Sequence, residues 1–328
     1  MSPAGIGACT DFYPRPRKRP SFCRPVHTHV RQAFQQMDNT VWRRLISRMA
    51  LSPDISDFTR RDITAAGKTK PVLLLGEHGP AIIVMHEIFG FTPTLARFCR
   101  WIAAAGFRVY APILCGSPDA HNAEKIEPSR MISLCISREF TMLASNRSSQ
   151  VTDWLRQLAH IAHGECGGPG VGAIGLCLTG GFALSMAIDP LILAPVLGEP
   201  SLPLLNHAAI DISPAELAQV KARTHADGLT VRGYRFQGDQ FARPERFATL
   251  RTQLGAAFTG TELPDACANP AGMKSQGKPP HSVFTVDLID APGEPTRHAV
   301  DEVIAFFHEK LSGAAPEQAL PPGVEQGV

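Results

Sequence analysis

The chain has 328 residues, 44% of them hydrophobic, with 32 Lys and Arg against 30 Asp and Glu, a balance that allows a sizeable core and argues against a nucleic-acid-binding one. No run of about 18 apolar residues marks a transmembrane helix, and the opening MSPAGIGACTDFYPRPRKRP lacks the apolar stretch of a secretory signal; a soluble, cytoplasmic protein with no membrane partner is expected. The eight cysteines include no C-x-x-C pair and no zinc-finger spacing with His, so reduced thiols and no metal site are the expectation.

Charge is uneven along the chain. Residues 1–50 hold nine Lys/Arg and two Asp/Glu, and PRPRKRP (14–20) reads as part of a basic, flexible extension, with an arm for anionic surfaces as the alternative. Residues 51–312 are read as one domain. From residue 70, short apolar runs alternate with helical periodicity, which predicts a mostly parallel sheet with helices on both faces. The predicted strands are VLLL (72–75), AIIVM (81–85), FRVYAP (107–112), VGAIGL (171–176), ILAPVL (192–197) and LTVRGYRF (229–236), with another possible in HSVFTVDLI (281–289).

The helices follow from spacing. Leu95, Phe98, Cys99 and Ile102 share one face before Gly106; Val151, Trp154, Leu155, Leu158 and Ala162 share another before Gly164. Ser213, Pro214 and Glu216 have the pattern of a capping box. Val300, Val303, Ile304, Phe307 and Leu311 stripe a last helix, and 313–328 reads as a disordered tail. Two long stretches, 112–148 and 258–280, are read as irregular covers over a site.

GLCLTGG (175–181) joins a predicted strand to a predicted helix. That is the strand–turn–helix of a nucleophile elbow with Cys177 in the serine position, small residues on either side, and a helix N-terminus that favours a thiolate. Alone, G-x-C-x-x-G fits a buried structural cysteine equally well. A second motif, HEIFGFTP (86–93), follows strand AIIVM, and Gly90 stands where a zinc-binding H-E-x-x-H needs its second histidine.

HEIFG after a strand, then a helix, FRVYAP and GLCLTGG, together resemble the dienelactone hydrolase family of the α/β-hydrolase fold, over roughly residues 70–312. The resemblance implies that Cys177 is the nucleophile and that Glu87 contacts its thiol. Such hydrolases place an acid and then a histidine after late strands. Asp239, in YRFQGDQFARPERF, is similar to the family's acid. His281, in HSVFT, is similar to its base, although the segment between the two is enlarged. His298 is the alternative base, but it lies about 120° around the last helix from Ile304, off the apolar stripe. The resemblance also implies an oxyanion hole from the backbone N–H groups of Ile88 and Leu178. Family substrates are lactones carrying a carboxylate held by arginines, for which Arg138, or less closely Arg130, is the candidate.

The expected activity is cofactor-independent hydrolysis of a small-molecule lactone, ester or thioester, anionic substrates included, as in carboxymethylenebutenolidase. A glutamine-amidotransferase-like cysteine enzyme and a catalytically silent binding protein on the same scaffold are the competing readings. The sequence does not specify an oligomeric state.

Overall fold

The computed structural model describes residues 55–114, 150–203 and 206–312. Expectations for the basic extension, for Arg130 and Arg138, for the stretch 112–148 beyond residue 114 and for the C-terminal tail lie outside the described residues.

Eight strands form one sheet: β1 (Thr59–Ala65), β2 (Lys68–Leu75), β3 (Ala81–Met85), β4 (Arg108–Pro112), β5 (Val171–Leu176), β6 (Ile192–Gly198), β7 (Val231–Phe236) and β8 (Phe258–Leu263). Their spatial order is β1-β2-β4-β3-β5-β6-β7-β8. The first three in this order pair antiparallel and all later neighbours pair parallel. The helices are α1 (Pro93–Ala104), α2 (Gln150–Cys166), α3 (Phe182–Met186), α4 (Pro214–Ala226), α5 (Pro244–Leu254) and α6 (Pro295–Leu311).

Period-two alternation distributes each inner strand between two cores. Ala81, Ile83 and Met85 of β3 face Trp154 and Leu158 of α2, Phe182 of α3, Val220 of α4 and Phe247 of α5. Ile82 and Val84 face Phe98 and Ile102 of α1 and Val303 and Phe307 of α6. Helices therefore cover both faces, the architecture of an α/β-hydrolase.

Local chemistry explains the element ends. Thr92 caps α1 by accepting from Leu95 N at 3.2 Å, and Gly106, at φ +91°, closes it. The capping box of α4 forms as its sequence pattern implies, Glu216 N donating to Ser213 Oγ at 3.2 Å and Ser213 N to Glu216 Oε2 at 3.3 Å.

The structure adds one strand and corrects three expectations. β1 was not anticipated, because Arg60, Arg61 and Asp62 give an edge strand no apolar run; the positive φ of Ala66 (+47°) and Gly67 (+71°) makes the tight turn into β2. The stretch 258–280 is not wholly irregular, since it opens with β8, another edge strand of partly exposed Thr and Gly. HSVFTVDLI is not a strand: Asp287 Oδ2 accepts from the N–H groups of His281 and Ser282 at 2.8 and 3.0 Å, and the segment turns around that carboxyl. Finally, Cys177 opens a single 3-10 turn (Cys177–Thr179) before the five-residue α3, so a long helix does not begin at the thiol.

The sheet order places the site. β3 lies between β4 and β5, so the chain leaves it toward one neighbour, across one face, and later returns to the other, across the opposite face. A crevice opens at the carboxyl ends of such strands.

Candidate active site

Met85 of β3 is in register with Gly175 of β5, so Glu87 and Cys177 stand at matching positions beyond adjacent strands. Cys177 has φ +54°, a region that non-glycine residues seldom occupy. The turn needs glycine beneath it: a Cβ at Gly175 would lie 2.0 Å from the Thr179 carbonyl oxygen. Thr179 Oγ1 accepts from Leu176 N at 3.0 Å and shares its single proton among the carbonyls of Leu176, Met85 and His86, 3.1–3.2 Å away. That hydroxyl ties the elbow to the end of β3. Cys177 is only partly buried, unlike Cys99, which is wholly buried in the core and whose thiol pKa burial drives far up.

His281 and Asp239 meet as the resemblance implies. His281 Nδ1 lies 2.7 Å from Asp239 Oδ2, and Asp239 Oδ1 accepts from the backbone N–H groups of Phe241 and Ala242 at 2.8 and 3.1 Å. With its other oxygen fixed by two peptides, Asp239 can orient the ring, accepting the Nδ1–H bond and leaving Nε2 to face the thiol side. The ring edge of Phe241 packs on His281, with centroids 5.2 Å apart. His298 is 71% exposed on α6 and 3.4 Å from Glu302, not part of this cluster.

The loop bearing His281 is built around Asp287, which is fully buried. Besides His281 and Ser282, it accepts from Met273 N at 2.7 Å.

Three further groups around the site were not anticipated. Ser201, just past β6, has its Oγ 3.4 Å from His281 Nε2 and 3.6 Å from Cys177 Sγ; the same hydroxyl donates to the Glu199 carbonyl at 3.1 Å. Ser201 N donates to the Cys177 carbonyl at 3.0 Å. Glu199 is completely buried, at φ +34°. Thr285 Oγ1 donates to Glu87 Oε1 at 2.9 Å. The sequence signal for Glu199 and Ser201 was their place in GEPS, polar residues directly after an apolar strand of a parallel sheet.

His86, adjoining Glu87, is a structural residue. Its Nε2 accepts from Leu114 N at 2.9 Å, so Nδ1 carries the proton toward the Glu87 carbonyl at 2.6 Å, and burial drops its pKa to about 4.

Burial pushes the Glu87 carboxyl up, with the Ser282 hydroxyl, His281 and the Thr285 hydroxyl opposing it. Burial by itself would lower the pKa of His281, but the Asp239 charge and the Cys177 sulfur outweigh it and hold the imidazole well above its ordinary value. A histidine raised on folding stabilises fully below its unfolded value of about 6.5 and loses that contribution as pH rises through the folded one. The thermal midpoint of the wild type should therefore exceed that of His281→Gln by most near pH 5, with the gap narrowing at alkaline pH. A pH-independent gap would contradict the pairing.

Among the described residues no cluster of three or more His, Cys, Asp and Glu is arranged to hold a metal ion, and no helix is long and apolar enough to cross a membrane.

The model of the dienelactone hydrolase family matches residues 66–206, which include Glu87 and Cys177 but stop short of Asp239 and His281. Carboxymethylenebutenolidase 1 of Cupriavidus pinatubonensis is 28% identical over 114 residues, 34% of this chain and 46% of that protein; the alignment thus spans less than half of the relative. Among solved structures, a dienelactone hydrolase-like promiscuous phosphotriesterase from metagenomic libraries superposes with a TM-score of 0.54 at 19% identity, over 78% of this chain and 100% of the other. At that identity the structural likeness supports the fold.

Proposed function

We propose that this dienelactone hydrolase-like α/β-hydrolase cleaves a small-molecule lactone, ester or thioester through a covalent acyl-enzyme on Cys177. The observation that carries this reading is the Asp239–His281 pair at 2.7 Å, oriented toward a half-buried cysteine held at positive φ on a strand end. The family match covers only the first half of the constellation, so Asp239 and His281 enter the proposal on geometry and chain order.

Once unprotonated at Nε2, His281 accepts the thiol proton there as sulfur attacks the carbonyl carbon. The C–S bond forms, and negative charge develops on the carbonyl oxygen, where the backbone N–H groups of Leu178 and Ile88 are the proposed donors. Collapse breaks the C–O bond, or C–S in a thioester, and His281 delivers its proton to the leaving atom. Water then attacks the acyl-thioester with His281 as base, the carboxylic acid departs, and the thiol is restored. Asp239 keeps its charge throughout and stabilises the transient imidazolium. Of the substrate-binding groups, Arg138 stays a proposal for a carboxylate-bearing substrate. A panel of lactones, aryl esters and thioesters assayed with wild type and Cys177→Ala tests the reading; equal turnover by both proteins would end it.

Glu87 is proposed to hold the resting thiol protonated, because a negative neighbour raises a thiol's pKa. Glu87→Gln removes the charge and keeps the size. Iodoacetamide labelling of Cys177 near pH 7, followed by mass spectrometry, should become faster while hydrolysis declines. An unchanged labelling rate would make Glu87 a purely structural carboxyl.

A further inference from the structure

Glu199 follows β6 directly, beside the strand that ends in Cys177. It is fully buried, and neither carboxyl oxygen has a hydrogen-bond partner. Glu87, 3% exposed and one strand away on the other side of Cys177, has the same defect at Oε2. Three buried acid oxygens without donors are costly in any protein, and a carboxylate on each side of one thiol costs more still. The backbone nonetheless fixes Glu199 in place: its N–H donates to the Tyr234 carbonyl at 2.8 Å, its carbonyl accepts from Ser201, and its φ is positive.

We propose that Glu199 is a positioning residue for Cys177, carrying a proton that it shares with Glu87, so that the two buried carboxyls present one negative charge to the thiol instead of two. One proton converts a Glu199 oxygen into a donor, the kind of partner that Glu87 Oε2 lacks. The surroundings favour that state. Burial drives the Glu199 carboxyl well above its ordinary value; Glu87 adds to this, His281 opposes it, and Cys177 and Asp239 add further. The titratable groups that act on it are Glu87 after β3, His281 on its own loop, Cys177 after β5 and Asp239 after β7, while Ser201 is the polar neighbour on the same segment. Arg246 does not neutralise the pair: its guanidinium donates to the Pro200 carbonyl at 2.7 Å, and its charge acts on Asp211 and Asp239.

The consequence lies in the pH response. With one shared proton the pair has a single charge near neutrality. As that proton leaves, a second charge appears beside the sulfur and holds back thiolate formation. The inference rests on Cys177 being the nucleophile for its relevance to turnover, but its test does not require turnover.

Two readouts on intact protein decide it. The infrared difference between wild type and Glu199→Gln at pH 7 should contain a protonated-carboxyl C=O band that shifts in D2O. The rate of Cys177 alkylation by iodoacetamide should reach its half-maximum in Glu199→Gln at least about one pH unit below wild type, a tenfold change in thiolate population at intermediate pH. Should Glu199→Gln prove poorly folded, Glu87→Gln serves instead, since facing an amide rather than a carboxylate should lower the pH at which the Glu199 band titrates. A difference spectrum without the band, superimposable alkylation profiles, or a Glu199 band that ignores Glu87→Gln would overturn the shared proton. Both readouts as predicted, together with unimpaired turnover by Cys177→Ala, would count against the nucleophile reading alone.

Discussion

Cys177→Ala, His281→Ala and Asp239→Ala are each expected to lower kcat/KM for a good ester substrate by at least about 10³-fold, with the double variants little worse than the singles. The three residues act as one unit. Without the sulfur no acyl-enzyme forms, without the ring no group takes its proton, and without Asp239 the ring loses the 2.7 Å bond that sets its tautomer. Non-additivity is the informative result, since independent contributions would multiply. His298→Ala should behave as wild type, because that side chain is largely exposed and bound to Glu302 on α6. Its loss abolishing turnover while His281→Ala spared it would invert the assignment of the base.

Asp287→Ala is the second large effect, and it acts on both stability and turnover. The fully buried carboxyl accepts from three backbone N–H groups, those of Met273, His281 and Ser282. Removing it leaves three buried donors unsatisfied, at about 1–3 kcal/mol each. A loss of about 3 kcal/mol corresponds to a fall in thermal midpoint of about 6–12 °C for a domain of this size. Because the same carboxyl holds the His281 backbone, kcat should fall by about 10²-fold even at temperatures where the variant stays folded. Circular dichroism melts and assays well below the midpoint separate the two. Normal kcat in a destabilised variant would mean that the loop positions His281 without Asp287.

Much of this was legible in the chain. Inner strands such as AIIVM and VGAIGL show themselves because burial on both faces demands unbroken apolar runs. The elbow shows itself through Gly175, which the close Thr179 carbonyl requires. The edge strands β1 and β8 were hidden because a half-exposed edge tolerates Arg, Asp, Thr and Gly and so loses the pattern. The His281 loop misled in the opposite direction: Val283, Phe284 and Val286 have the composition of a strand, but Val283 and Phe284 are buried within a turn organised by Asp287. Ser201 was missed because its one signal, a polar place in GEPS after an apolar strand, gains meaning only when the sheet order brings the ends of β5 and β6 together. Glu199 was missed for the same reason, and a glutamate in sequence reads as surface until its burial is known.

The central claim, an acyl-enzyme on Cys177, is tested most directly by acid-quenching the protein during turnover of an aryl ester and mapping the modified peptide by mass spectrometry. The account predicts the acyl mass on Cys177, accumulating within the first turnover and absent from Cys177→Ala. An adduct on Ser201, whose hydroxyl also lies 3.4 Å from His281 Nε2, or turnover with no adduct at all under conditions that trap a thioester, would contradict it.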